Sequence, residues 1–197
     1  LKIDDRETVA IIGESGAGKS TLLHIMSCID NFDGEYYLDN IDINKLSESK
    51  KSKLRSSKIG IVLQDFALID DFTVFENVMT PLYFNKKIKD KKGSVMRALK
   101  KTGIASLKAK KVSQLSGGQK QRVAISRALV TNPEYIFADE PTGSLDSKTS
   151  EEIVKMLFDL NRNGITIVIV THNLEIANQC HHIIEIKDGN IIKDICS

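Results

Sequence analysis

Short apolar runs rich in β-branched residues recur along the chain and are separated by longer stretches with helical spacing. Such continuous runs are typical of strands covered on both faces in a parallel sheet. The pattern predicts five strands, at 8–12, 59–63, 135–138, 165–170 and 183–186. Between them, apolar residues three and four positions apart, such as Ile153, Met156 and Leu157, predict amphipathic helices. This alternation predicts an α/β fold with a mainly parallel sheet and right-handed crossovers.

Two segments depart from this alternation. Residues 34–43 alternate in polarity, which predicts an antiparallel β edge rather than a buried strand. From 71 to 131 no run has strand character and helical spacing dominates, which predicts a helical subdomain inserted into the α/β core. The predicted organisation is therefore one domain over 1–197, with a core of 1–70 and 132–197 that flanks the helical subdomain.

The charge balance excludes one class of function. Lysine and arginine number 28 and the acids 26, so the net charge of +2 excludes a globally basic nucleic-acid binder. Residues 86–111 nevertheless hold eleven basic side chains against one acid, Asp90. That segment is compatible with a solvated helical face, or with contact to acidic lipid headgroups or an acidic partner.

Cysteine usage and hydropathy add two further expectations. Cys28, Cys180 and Cys196 are scattered without paired spacing, which favours reduced thiols in a reducing compartment. The longest membrane-like run, 165–170, is far shorter than the roughly 20 apolar residues that span a bilayer. The sequence therefore predicts no transmembrane helix.

Residues 13–20 have the sequence Gly-Glu-Ser-Gly-Ala-Gly-Lys-Ser, between a predicted strand and a helical run. This is the pattern and the setting of a phosphate-binding loop. Its glycines allow amide N–H groups to turn toward an anion, and the start of the next helix adds positive potential. Lys19 is expected to reach the β and γ phosphates, and the Ser20 hydroxyl to bind Mg²⁺. The predicted triphosphate site comprises Gly13, Glu14, Ser15, Gly16, Ala17, Gly18, Lys19 and Ser20.

Two acids, Asp139 and Glu140, follow the third predicted strand. Ligands of open α/β sheets bind at the carboxyl ends of the strands, so these side chains are expected at the ligand cleft. Asp139 suits Mg²⁺, directly or through water, and Glu140 suits a general base that polarises the attacking water. The alternative is a solvated strand end, which the phosphate-binding loop in the same chain makes less favoured.

The segment Leu-Ser-Gly-Gly-Gln at 115–119 precedes a second helical run and is more discriminating than the phosphate-binding loop, which kinases, GTPases, motors and transport ATPases share. Ser116 is a good N-cap, and Gly117 and Gly118 expose backbone donors at a helix start. The chain thus has two predicted anion sites about 100 residues apart in sequence. One triphosphate in a shallow cleft has little use for both in one chain, but a second copy could supply the other.

LSGGQ and the phosphate-binding loop together resemble the nucleotide-binding domain of ATP-binding cassette (ABC) proteins. Other family motifs follow in order: Gln64 matches the glutamine loop, Ser144-Leu145-Asp146 matches the loop after the acidic pair, and His172 matches the switch histidine. The resemblance extends from about residue 8 to 193. Taken alone, His172 would be a capped strand-end histidine and Gln64 an uninformative polar residue.

The resemblance implies a head-to-tail homodimer that sandwiches two ATP molecules with Mg²⁺, each between one chain's phosphate-binding loop and the other chain's LSGGQ. It implies that Glu140 activates water, His172 holds the γ-phosphate and Gln64 contacts the metal or the water and reports to a membrane permease. It implies that Asp146 couples the two sites and that the helical subdomain rotates when ATP binds. The remaining contacts that it implies are Gly16, Gly18, Lys19, Ser20 and Thr21 in one chain, and Ser116, Gly117, Gly118 and Gln119 in the other.

Several stretches are similar to ATPase subunits of lipoprotein-releasing, macrolide-exporting and bacteriocin-exporting systems. The implied role is a peripheral ATPase on the cytoplasmic face of the membrane, driving a separate permease for export or extraction, without nucleic acid. Family members stack an aromatic residue on adenine, and no aromatic residue precedes Phe32 here. We therefore expect that residue, and a further strand, in a segment ahead of Leu1.

Two other functions stay open at this point. A non-transport ABC ATPase acting on DNA or in translation remains compatible with the lysine-rich segment 86–111, although only one cassette is present and no long coiled coil separates the two glycine motifs. A small-molecule kinase would use the same phosphate-binding loop but would leave LSGGQ unexplained.

Overall fold

The computed structural model describes residues 1–85 and 87–196. Its strands are β1 (Thr8–Ile12), β2 (Tyr37–Leu38), β3 (Ile41–Asp42), β4 (Ile59–Val62), β5 (Tyr135–Asp139), β6 (Thr166–Val170), β7 (His182–Lys187) and β8 (Asn190–Cys196). Its α-helices are α1 (Lys19–Met26), α2 (Glu48–Lys58), α3 (Val74–Phe84), α4 (Lys91–Lys101), α5 (Gly117–Leu129), α6 (Ser147–Arg162) and α7 (Leu174–Ala177). Three short 3₁₀ turns occupy Ile43–Lys45, Ala105–Leu107 and Val112–Gln114.

The main sheet has six strands in the order β4-β5-β6-β1-β7-β8, and the first five of these are parallel. Every residue of β6 is buried, because helices cover both faces of the sheet centre. All five strands predicted from the apolar runs are present, with ends within one residue of the prediction. The α/β prediction is confirmed.

The antiparallel edge lies elsewhere than predicted. Residues 34–43 form a separate two-stranded hairpin of β2 and β3, with left-handed Asp39 and Asn40 in its turn. The antiparallel edge of the main sheet is β8, which pairs with β7 across the Asp188-Gly189 turn. Strand β8 is exposed along its whole length, and Lys193 and Asp194 interrupt its apolar residues, so it has no continuous apolar run and is defined by its pairing with β7.

Side chains on the two faces of the sheet fill two separate cores. Phe137, Val168 and Ile184 pack with α1, α2 and the β2–β3 hairpin. The alternate positions, such as Ile136 and Ile167, pack with α3, α4, α5 and α6. The helical segment 71–131 therefore shares its core with one face of the sheet.

In the described part of 71–131, no strand forms beyond an isolated bridge between Thr73 and Lys111; Lys86, which begins the lysine-rich segment, lies outside the described residues. Pro81 lies inside α3 and not at an element edge, and the Thr80 hydroxyl donates to the Asn77 carbonyl that the proline nitrogen cannot reach, at 2.8 Å. None of the described helices is long and apolar enough to cross a membrane.

Candidate nucleotide-binding site

The phosphate-binding loop leaves β1 in a conformation that only glycine tolerates. Gly13, Gly16 and Gly18 have φ values of 149°, 80° and 99°. A Cβ at Gly13 would lie 2.1 Å from the Ile186 carbonyl oxygen, so the loop presses closely on β7. At the far side, the N–H of Gly189 in the β7–β8 turn donates to the Ala17 carbonyl at 3.1 Å. These contacts with β7 and the β7–β8 turn fix the shape of the loop.

The Lys19 side chain crosses the inner side of the phosphate-binding loop. Its Nζ donates to the carbonyl oxygens of Gly13 and Glu14 at 2.9 and 2.7 Å, and the residue is buried. Among the described residues, the backbone N–H groups of Gly16 and of 18–21 have no acceptor. These are the orphan donors of a helix start, and with the lysine ammonium they form a cradle for an anion. Glu14, Ser15, Ser20 and Thr21 are exposed around it, and Ala17 is buried beneath.

Asp139 and Glu140 lie where β5 ends, and His172 lies two residues beyond β6. The Nδ1 atom of His172 is 2.9 Å from Glu140 Oε1, and the backbone N–H of Glu140 donates to the Val170 carbonyl at 2.9 Å. Glu140 has a φ of 43°, a left-handed conformation that is strained for a residue with a Cβ. The histidine side chain is 73% exposed and the Glu140 side chain 13%, so the pair stands at the edge of the cleft.

Two carboxylate oxygens of this pair, Asp139 Oδ1 and Glu140 Oε2, are buried and have no hydrogen-bond partner in the part of the chain that the structure describes. Buried polar atoms are normally paired, so each oxygen calls for a group that the chain itself does not provide. Carboxylate oxygens are ligands that Mg²⁺ prefers, and a carboxylate can also accept a proton from water. The donor set thus fits Mg²⁺ and an attacking water beside the phosphate cradle.

Gln64 follows β4 and is exposed. A Cβ at Gly143 would lie 3.5 Å from both Gln64 Nε2 and Glu140 Cβ, which places the glutamine beside the turn that follows Glu140. The carboxyl ends of β1, β4, β5 and β6 therefore bring together the phosphate-binding loop, Gln64, the acidic pair and His172.

Helix α5 starts in a different way, through its own side chains. The Ser116 Oγ accepts from the Gln119 N–H at 3.4 Å, and the Ser116 N–H donates to Gln119 Oε1 at 3.1 Å. The two bonds form a reciprocal capping box, of which the sequence predicts the Ser116 cap but not the bond to the Gln119 side chain. Ser116 and Gly117 are exposed at the tip of the helix.

The start of α5 rests on the start of α6. A Cβ at Gly118 would lie 2.4 Å from Thr149 Cγ2, and one at Gly117 would lie 3.4 Å from Leu145 Cδ2. Thr149 also donates to Asp146 through its N–H at 3.0 Å and its hydroxyl at 2.6 Å. These bonds hold the pKa of the Asp146 carboxyl below its usual value.

Two residues that hold these loops were not singled out from the sequence. Thr149 joins Asp146 to the LSGGQ segment, and the only sequence signal for it is its place three residues after a helix-capping Asp. Arg127 donates to the carbonyl oxygens of Phe66 and Ala67, two left-handed residues just after Gln64. Nothing in the pattern marks Arg127, because its partners are backbone atoms about 60 residues away.

The sequence profile of the ABC transporter family matches residues 1–143. This chain belongs to that family. ABC transporter ATPase domains bind ATP with Mg²⁺ and hydrolyse it, and this is the activity of the chain.

The ABC protein YvrO of Bacillus subtilis, an uncharacterised ABC transporter ATP-binding protein, is 43% identical over 196 residues, which is 98% of this chain and 86% of YvrO. MJ0796 of Methanocaldococcus jannaschii, also an ABC transporter ATP-binding protein, is 46% identical over 98% of this chain and 86% of its own length. The macrolide export ATP-binding/permease protein MacB of Mannheimia succiniciproducens is 44% identical over 98% of this chain, which spans only 30% of MacB.

The solved structure of dimeric MJ0796 in a post-hydrolysis state, bound to ADP and Pi, covers this whole ABC chain with a TM-score of 0.91 at 43% identity. The alignment includes 88% of that structure's chain. A fold similarity at this level of identity extends over the sheet, the phosphate-binding loop and the helical segment alike.

Proposed function

We propose that this ABC ATPase works as a head-to-tail dimer in which each ATP is bound by the phosphate-binding loop of one chain and the LSGGQ segment of the other. The observation that carries this is the pair of exposed helix starts at α1 and α5. Among the described residues, no hydrogen bond joins 13–21 to 116–119. The α5 start is thus available to a second copy. The dimeric structure of MJ0796 bound to ADP and Pi supports assembly of this chain into a dimer.

Within one chain, the residues around the cradle divide the chemistry. The N–H groups of Gly16, Gly18 and Lys19, with the Lys19 ammonium, hold the β and γ phosphates and offset the charge that spreads over the γ-phosphoryl oxygens. Ser20, Asp139 and Gln64 are the residues that would hold Mg²⁺, directly or through water, and the ion would supply positive charge that offsets the charge on the γ-phosphoryl oxygens.

Glu140 is the general base in this proposal. Its Oε2 is buried and without a partner, so it is free to accept a proton from the attacking water, while Oε1 is oriented by His172 Nδ1. His172 is exposed and can turn toward the γ-phosphate when nucleotide binds. The contact between them keeps the base on the cleft side of the turn.

The second copy contributes the α5 start. Ser116, Gly118 and Gln119 contact the partner's γ-phosphate or ribose, and Gly117 permits close approach. Asp146 caps α6 through Thr149, which also touches Gly118, so a displacement at one nucleotide site is passed to the loop that links the two. The helical subdomain 71–131 turns against the core formed by 1–70 and 132–197.

The partner in the membrane is a separate permease, and the ATPase lies on the cytoplasmic face. The cargo class is a lipoprotein, a peptide or a drug-like molecule that is exported or extracted. Similarity to the macrolide export ATP-binding/permease protein MacB supports the drug-like member of this class and a role in export. Co-purification of this chain with an untagged permease encoded beside it tests the assignment. We expect the complex to persist in detergent and to dissociate when ATP drives release.

The dimer is tested in the Glu140→Gln chain, where slow turnover preserves ATP. We expect a monomer without nucleotide and a dimer with Mg-ATP by size-exclusion chromatography with light scattering. Adding Ser116→Arg abolishes the dimer and leaves the monomer's affinity for nucleotide unchanged, because Ser116 acts on the other chain's ATP. Ser113→Arg, at an exposed serine outside the helix start, is the matched control and dimerises normally. Dimers in the Ser116→Arg chain, or lost nucleotide binding in its monomer, would contradict the proposal.

A further inference from the structure

Three potential ligand side chains meet at the amino ends of β1 and β7, opposite the nucleotide site. They are Glu7, His182 and Cys196, and one ligand atom from each lies within 4.8 Å of the others. The pairing of the strands brings them together. His182 lies opposite Cys196 in the β7–β8 ladder and beside Val9 in the β1–β7 ladder, and Glu7 is two residues before Val9 on the same face.

His182 is the buried centre of this cluster. Its side chain is 2% exposed, and Nδ1 makes no hydrogen bond to any residue of 1–85 or 87–196, although Glu7 Oε1 lies 3.4 Å away. The other ring nitrogen, Nε2, is 2.5 Å from Asp194 Oδ1. A carboxylate that accepts from Nε2–H leaves the lone pair on Nδ1, which is the tautomer that a metal-binding histidine needs. The Nδ1 lone pair therefore lies beside Glu7 Oε1, within the cluster that includes Cys196.

The remaining atoms of the cluster are arranged to match. Glu7 Oε2 accepts from the Asp4 N–H at 2.8 Å, which fixes the carboxylate and leaves Oε1 toward the histidine. Lys2, the nearby ammonium group, pairs with Asp4 at 2.7 Å. Cys196 is exposed at the end of β8, so its thiol can reorient.

We propose that Glu7, His182 and Cys196 bind a divalent cation of the zinc type. One imidazole nitrogen, one thiolate and one carboxylate are the ligand types that Zn²⁺ selects, and water completes the tetrahedron. Bonds of about 2.0–2.3 Å separate tetrahedral ligands by about 3.3–3.8 Å, so the cluster closes by about 1 Å on binding. The Cys196 thiol proton is released to solvent as the sulfur–metal bond forms.

Such an ion would fasten the free edge strand β8 and the start of β1 to β7. Strand β8 otherwise has no buried side chain to hold it. This site is independent of the nucleotide site, because it lies at the opposite ends of the same parallel strands.

Cobalt(II) is the probe, since thiolate ligation gives a sulfur-to-cobalt charge-transfer band and a tetrahedral site gives intense visible bands. We expect one equivalent of Co²⁺ to produce both in the EDTA-treated chain, and Zn²⁺ to displace it. The other two cysteines do not confuse the result, because burial raises the pKa of both Cys28 and Cys180 and shields their sulfurs.

Substitutions distinguish the residues that bind the metal from the residues that only surround the site. Cys196→Ser, at an exposed position, loses the charge-transfer band and at least about 10²-fold in affinity while retaining ATP hydrolysis. Asp194→Asn keeps the band and weakens binding about 10–100-fold, as expected of a group that orients a ligand. Two matched control variants are expected to bind Co²⁺ with the affinity of the parent chain. Glu185→Gln changes a residue on the opposite face of β7. His181→Asn changes a histidine whose Nδ1 already accepts a hydrogen bond from the Thr8 N–H. Absence of the band in the parent chain, its persistence in Cys196→Ser, or parental affinity in Glu7→Gln would overturn the proposal.

Discussion

Helices α1 and α5 both begin at glycine-rich turns, yet only α5 pairs one of its first backbone donors with a capping side chain of its own. Helix α1 starts after Gly18 with no side-chain cap, and its first N–H groups have no acceptor among the described residues. Helix α5 starts after Ser116 with a complete capping box. At α1 no described side chain accepts from the first N–H groups, whereas at α5 the Ser116 hydroxyl accepts from Gln119 and only the N–H groups of Gly117 and Gly118 lack an acceptor among the described residues.

This difference suits the roles proposed for the two ends. At the uncapped start of α1, Lys19 donates to carbonyl oxygens of its own loop. This start is therefore suited to bind phosphate within one chain. The capping box of Ser116 and Gln119 stabilises the start of α5, and the N–H groups of Gly117 and Gly118, which have no acceptor among the described residues, remain for a partner's phosphate. Substitutions at the α1 side should therefore affect chemistry most, and substitutions at the α5 side should affect stability and assembly.

The largest effect is expected for Glu140→Gln. Loss of the positioned base lowers ATP turnover by about 10²–10⁴-fold while ATP binding is retained. Steady-state phosphate release and equilibrium nucleotide binding measure the two quantities separately. Near-parental turnover would remove Glu140 from the role of base.

Lys19→Ala comes next. Removing one charged donor from the γ-phosphate is expected to lower kcat/KM for ATP by about 10²–10³-fold. Lys91→Ala is the control, since Lys91 is also the first residue of its helix, α4, but lies outside the cleft. An equal decrease in kcat/KM in both variants would show that the effect comes from removing any lysine at a helix start and not from the γ-phosphate contact.

Gly118→Ala tests the contact between the α5 start and α6. The new methyl would meet Thr149 Cγ2 at 2.4 Å, and such overpacking costs about 1–3 kcal/mol of unfolding free energy in urea. Thr149→Ser removes that methyl and should restore most of the loss. Gly117→Ala, with 3.4 Å to its nearest neighbour, is the control that should unfold as the parent does.

The smallest effect is expected for Ser116→Ala. Losing the cap costs about 0.5–2 kcal/mol, and Thr73→Ala, at the equivalent capping box of α3, should cost a similar amount. Chemical denaturation compares them. ATP-dependent dimerisation should fall in Ser116→Ala alone, and equal dimerisation would break the comparison between the two helix starts.

Strand positions were predictable where side chains are buried, because runs such as 166–170 are apolar at every position. The phosphate-binding loop was predictable because its glycines adopt left-handed angles that no other residue tolerates well. Strand β8 was not, since its order comes from pairing with β7, although Asp188-Gly189 is a recognisable hairpin signal. Gln64 could be placed only by resemblance, and Arg127 not at all, since its contacts are with backbone atoms distant in sequence.

Because the backbone at Glu140 is left-handed, thermal stability and ATP turnover favour different residues at this position. Glycine or asparagine would adopt a φ of 43° with less strain, so a search for thermostable variants should repeatedly recover them there, in chains whose ATP hydrolysis is slowed by loss of the base. Screens for robust forms of this protein must therefore count phosphate released as well as protein left folded.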